Sequence, residues 1–250
     1  MMNLYIFLTI IASTQAISGG TDTDINLYKS QLSLRYKDIH FCGASLINQN
    51  WALTAASCLD VHSTDLSVQG GTTNFASNSG VKVNVESFII HPNYHRQTHE
   101  DDIALLHFTT SIQLNDNLRP AMLPFEDISD VTVNAEVALI GWGAMEPDGS
   151  YSDVLQMGEV SAVSRSECYL DFPNITLYMF CAGISNLEHI SACAGDFGGQ
   201  AIVDNCLKGI ILWSDSCGKS PTVMTQISTY KKWILSASNI TDYEICPLSY

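Results

Sequence analysis

A chain of 250 residues with 46% hydrophobic and 15% charged side chains can build one large domain or two small packed ones, and is not a disordered polymer. Its 26 Asp and Glu against 11 Lys and Arg give a formal charge of −15. A field of that sign repels nucleic acid and anionic membrane surfaces, so neither is expected as a partner. It favours basic partners and, at the least, solubility.

In chain order, Leu4 to Ala12 is a mostly apolar run followed by the small-residue stretch Ser13-Thr14-Gln15-Ala16. This pattern reads as a signal peptide over residues 1–16, although no Lys or Arg precedes the run. The run is too short to span a bilayer. The mature chain, 17–250, is therefore expected to be secreted, soluble and extracellular. Gly70-Gly71 and Asp148-Gly149 read as turns. Val81, Val83 and Val85 alternate with Lys82, Asn84 and Glu86, the period-two signature of a strand with one buried face. Gly209-Ile-Ile-Leu-Trp213 reads as a short buried strand. Helical periodicity is clear only in Tyr230-Lys-Lys-Trp233-Ile234-Leu235, with Trp233 and Ile234 facing inward. Many short strands between turns point to β-barrels or a sandwich.

The eight cysteines are Cys42, Cys58, Cys168, Cys181, Cys193, Cys206, Cys217 and Cys246. An even number in a secreted chain reads as four disulfides. The close C-x-x-C pairs of zinc sites are absent, and no metal or other cofactor is expected. Asn174-Ile-Thr176 and Asn239-Ile-Thr241 are acceptor sequences for N-glycosylation.

A set of motifs follows in one order. They are Ile17-Ser-Gly-Gly20, Phe41-Cys-Gly-Ala-Ser-Leu46, Trp51-Ala-Leu-Thr-Ala-Ala-Ser-Cys58, His91-Pro-Asn-Tyr94 and Asp102-Ile-Ala-Leu-Leu106. Gly141-Trp-Gly143, Phe180-Cys-Ala-Gly183, Cys193-Ala-Gly-Asp-Phe-Gly-Gly199, Gly209–Trp213 and Tyr230–Ile234 complete the set. Together they resemble the chymotrypsin-like (trypsin-like) serine-protease family from Ile17 to about Leu235. The resemblance implies an all-β fold of two six-stranded antiparallel β-barrels with a C-terminal helix. The first barrel would span about 17–120, the second about 121–235, and a tail 236–250. It also implies the disulfides Cys42–Cys58, Cys168–Cys181 and Cys193–Cys217, with Cys206–Cys246 as the remaining pair.

The resemblance allows the chemistry to be read residue by residue. Peptide hydrolysis in this family uses a hydroxyl nucleophile, an imidazole base and an orienting carboxylate. Asp102 supplies the carboxylate. Ser57 stands where the motif T-A-A-H-C has its histidine, and Phe197 where G-D-S-G-G has its serine. A serine hydroxyl is no general base near neutral pH, and a phenyl ring has no lone pair to attack a carbonyl. Ser191 stands at the floor of the substrate pocket, below Trp213. Ser214 and Thr222 replace wall glycines and are expected to intrude. Met224 and Gln200 also depart from the common tyrosine and proline. Gly195 is kept, so the backbone N–H groups of Gly195 and Phe197 retain the positions of an oxyanion hole. Asp196 is kept to pair with a mature N-terminus at Ile17, which follows Ala16 rather than Lys or Arg. Signal peptidase would then release that terminus directly. His40 would sit beside Asp196, and His99 would line the neighbouring subsite.

Loss of both triad residues is similar to the inactivated protease paralogues of the scabies mite, relatives of the dust-mite group 3 allergens. That similarity implies a secreted monomer that binds host proteins, complement components in particular, and inhibits complement. The alternatives are an endopeptidase with residual or relocated catalytic residues and a passive antigenic decoy.

Overall fold

The computed structural model describes residues 17–74, 79–124, 131–147, 149–183, 190–215 and 217–247. Residues 1–16, read from the sequence as a signal peptide, and Asp148 and His189 lie outside the described residues.

After a tight turn in which Gly20 N–H donates to the Ile17 carbonyl, β1 (Thr21–Asp22) pairs with a strand of the second barrel. The chain then builds the first barrel from β2 (Gln31–Tyr36), β3 (Ile39–Leu46), β4 (Trp51–Thr54), β5 (Leu66–Gly70), β6 (Val81–Ile90) and β7 (Ala104–Phe108). These close in the order β2-β3-β4-β7-β6-β5, all antiparallel. The valine alternation is visible in β6, where Val81, Val83 and Val85 are shielded while Lys82, Asn84 and Glu86 are exposed.

β8 (Met122–Leu123) leads to β9 (Glu136–Gly141), β10 (Gln156–Val163), the short helix α1 (Arg165–Asp171), β11 (Met179–Ala182), β12 (Gln200–Val203), β13 (Cys206–Trp213) and β14 (Thr222–Gln226). The second barrel closes in the order β9-β10-β11-β14-β13-β12, with β9 pairing to both β10 and β12. Helix α2 (Lys231–Ser238) buries Ile234 and lays Trp233 against His91, with ring centroids 4.9 Å apart. The tail then forms β15 (Glu244–Ile245), parallel to β8. Four disulfides join Cys42–Cys58, Cys168–Cys181, Cys193–Cys217 and Cys206–Cys246, the last fixing the tail to β13.

The barrels are locked where they cross. Gly43 N–H of β3 donates to the Phe197 carbonyl at 2.7 Å. A side chain at Gly43 would collide with the Gly199 backbone, so glycine is required for the approach. Trp142 is fully buried beside Ile25, Ile140 and Leu155, and its indole N–H donates to the Thr73 carbonyl at 3.1 Å.

Helix α1 is held by its ends. The Ser164 hydroxyl accepts from Glu167 N–H, and the Glu167 carboxylate accepts from Ser164 N–H at 2.9 Å, a reciprocal capping box. Only Cys168 of this helix is buried, so packing contributes little. Ser164→Ala should therefore lower stability by about 1 kcal/mol, read as a lower urea midpoint at unchanged m.

Candidate functional site

Where the barrels meet, the first contributes Ser57, on the 3-10 turn Ala56–Cys58, and Asp102, two residues before β7. The second contributes Phe197, in the Cys193–Gly199 segment entering β12. Asp102 is fully buried and its carboxylate is shared. Oδ1 accepts from Ser57 N–H at 2.8 Å, and Oδ2 lies 2.9 Å from Nδ1 of His99. The Asp102 carbonyl accepts the Thr225 hydroxyl of β14 at 3.0 Å, which ties this segment to the other barrel.

The His99 contact goes beyond what the sequence indicated. Its ring lies against Trp213, centroid to centroid 5.2 Å, and also reaches the triad carboxylate. The backbone at His99 is left-handed (φ 55°), and that bend directs a side chain only three positions earlier back onto Asp102. A carboxylate oxygen accepts, so Nδ1 of His99 is the donor in this contact. Without such a partner a buried carboxylate would be costly.

Ser57 is exposed, whereas Phe197 is half-buried and packs on apolar clusters of the interior. Gly195 holds φ 94°, and a side chain there would run into Gly143 and the Tyr151 ring. His40 is almost fully buried, with Nδ1 2.8 Å from the Ser33 hydroxyl and a further hydrogen bond to the Gly195 backbone. Burial, with the Arg35 charge nearby, lowers its pKa to about 3. A neutral His40 thus supports the turn just before Asp196.

The pocket segment is crossed by hydrogen bonds. The Ser214 hydroxyl donates to the Ala192 carbonyl at 2.7 Å, and Ala192 N–H donates to the Thr222 hydroxyl at 2.9 Å. Ser191 is fully buried, and its hydroxyl accepts from Gly218 N–H at 2.7 Å. The hydroxyls of Ser214 and Thr222 thus bind the backbone of Ala192, and the Ser191 hydroxyl is engaged by the backbone of Gly218.

Asp196 is buried completely. Its carboxylate accepts from Gly143 N–H at 2.8 Å and Cys193 N–H at 3.0 Å. Burial pushes its pKa up to about 7 despite those two donors. Among the described residues no lysine, arginine or histidine pairs with it. Ile17 is also fully buried, in a cluster with Val137, Leu139 and Val160, and Ser18 bridges to Ser191. The Ile17–Ser18 segment thus lies against the segment that carries Asp196. Among the described residues no group of three or more His, Cys, Asp or Glu is placed to hold a metal.

Comparison with known proteins identifies the family. The family model described as Trypsin matches residues 17–234. A trypsin of Phaedon cochleariae is 34% identical over 231 residues, covering 90% of this chain and 89% of its own. Trypsin Tyr p 3.0101 of Tyrophagus putrescentiae is 37% identical over 235 residues, covering 89% and 81%. Transmembrane protease serine 11G of Rattus norvegicus is 34% identical over 241 residues, and this chain spans 56% of that protein. The chain belongs to the trypsin family of serine proteases.

Proposed function

We propose that the chain is a catalytically inactive, secreted member of this family that works by binding host proteins, complement components in particular, and so inhibits complement. One observation carries the proposal: Ser57 and Phe197 stand where the family has its base and its nucleophile, around a buried Asp102. Asp102 can orient a base, but Ser57 has no nitrogen to take a proton, and Phe197 has no atom to attack a carbonyl. Relatives named as trypsins share the scaffold over most of this chain. Here four disulfides and two closed barrels keep it rigid, and a rigid acidic surface suits recognition of a basic partner.

The mature, oxidised protein should give no turnover on a mixed peptide library read by mass spectrometry. It should also retain a serum component in a saturable, salt-sensitive manner. Specific, inhibitor-sensitive cleavage would overturn the reading; absence of any saturable partner would leave the decoy alternative.

A second reading, an endopeptidase with relocated residues, has the His99–Asp102 pair in its favour. It needs a hydroxyl to go with that imidazole, and Ser57 is anchored to the same carboxylate. A fluorophosphonate probe that labelled Ser57 would promote this reading; an unlabelled protein would remove it.

A further inference from the structure

Of the nine large hydrophobic side chains exposed among the described residues, four lie within ten consecutive positions: Tyr169, Leu170, Leu177 and Tyr178. Leu170 is 83% exposed and Leu177 73%. This segment is not a loose loop. The Cys168–Cys181 bridge closes it, the capping box starts its helix, and the Arg165 guanidinium donates to the carbonyls of Thr176, Leu177 and Met179. Phe172 and Ile175 turn inward onto the core, while Asn174 between them is exposed. An ordered apolar cluster in water calls for a covering.

We infer that Asn174 carries an N-linked glycan whose first sugars lie over Tyr169, Leu170, Leu177 and Tyr178. Asn174 lies within five residues of all four and is itself an acceptor sequence. The C–H faces of N-acetylglucosamine stack on tyrosine rings and aliphatic chains, and its polar edges face water. In forming the link, Asn174 Nδ2 bonds to the anomeric carbon of a lipid-linked oligosaccharide. The carbon–oxygen bond to the lipid pyrophosphate breaks, and one amide proton leaves with the pyrophosphate.

The second acceptor gives an internal contrast. Asn239 is the left-handed C-cap of α2 (φ 53°), its N–H donates to the Leu235 carbonyl, and its neighbours Ser238 and Ile240 are buried. No exposed large apolar side chain lies within five residues of it. A glycan there would cover nothing apolar.

The inference rests on the secretory reading, and the test separates the two by using a heterologous leader in insect cells. The secreted protein is treated with peptide N-glycosidase, which converts an occupied Asn to Asp, and mapped by mass spectrometry. Asn174 should be occupied in most chains. N174Q should raise the fluorescence of an added hydrophobic dye about twofold or more, N239Q should leave it unchanged, and L170S/L177S within N174Q should return it to the starting level. An unmodified Asn174 would overturn the inference while leaving secretion intact. Dye binding that ignores N174Q would overturn it as well, as would a serum protein that occupies the patch on the unmodified chain.

Discussion

Putting the imidazole and hydroxyl back together, in the double variant Ser57→His/Phe197→Ser, should yield no detectable peptidase activity. The first obstacle is the carboxylate. A new imidazole at position 57 must donate its Nδ1 hydrogen to Asp102, but Oδ2 is held by His99 at 2.9 Å and Oδ1 by Ser57 N–H at 2.8 Å. In serine proteases an imidazole in the wrong tautomer costs about 10⁴ in kcat. The second obstacle is the pocket, where Ser214 and Thr222 bind the backbone of Ala192 and are expected to narrow the space for a substrate side chain. Misplacement of a substrate by about 1 Å costs on the order of 10²-fold. The two losses act on different steps and should multiply. Adding His99→Leu, Ser214→Gly and Thr222→Gly to the double variant should bring measurable kcat/KM on a fluorogenic peptide library, with each of the three contributing. Robust cleavage by the double variant alone would show that neither obstacle matters.

The second large effect concerns Asp196 and pH. With no lysine, arginine or histidine paired to it among the described residues, its pKa stands at about 7 in the fold against an ordinary value of 3.8. The folded state then binds a proton that the unfolded state has released. Stability is fully present below the unfolded value and falls as pH rises from there to about 7, by about 4 kcal/mol in total. A mature terminus at Ile17 changes this, because the resemblance places its ammonium beside the carboxylate and keeps Asp196 ionised without the loss. A chain beginning at Ile17 and one retaining Ala16 should therefore be equally stable near pH 4. They should diverge as pH rises to 7.5, the shorter chain winning by a few kcal/mol, and converge again once the amine deprotonates. Urea unfolding of the two proteins across that range, disulfides intact, is the measurement. Parallel curves would mean that Ile17 does not pair with Asp196.

The architecture was legible because its signals are local and redundant. The valine alternation of β6 and the apolar run of β13 announce strands and leave barrel or sandwich open, while the ordered motifs around the cysteines carry the resemblance that selects two barrels. The same motifs are what mark positions 57 and 197 as departures from the family pattern. Other features escaped for physical reasons. Helix α1 has its cap written in Ser164-x-x-Glu167, but with only Cys168 buried it has no apolar stripe to reveal it. The parallel pair β8–β15 joins segments more than a hundred residues apart, and neither two-residue strand has a pattern of its own. His99 reaches Asp102 through a left-handed backbone bend, a conformation that few non-glycine residues adopt, so the sequence does not mark this histidine out even though its type is among those enriched there. The bonds of Ser214 and Thr222 to Ala192 could not be read from the sequence, because they need the distant Ser191–Cys193 segment to be in place.

The overlap of two disulfides has a consequence for survival among proteases. Cys193–Cys217 and Cys206–Cys246 share the stretch from 206 to 217, so their two loops form one linked ring from 193 to 246. A single cut anywhere in that ring, including the Trp213–Ser214 rim, leaves both ends covalently attached. The same holds inside Cys168–Cys181, which encloses the exposed Leu170 and Leu177, and inside Cys42–Cys58, which encloses Ser57. Such a molecule can be nicked without being dismantled, and its surface would outlast the continuity of its backbone.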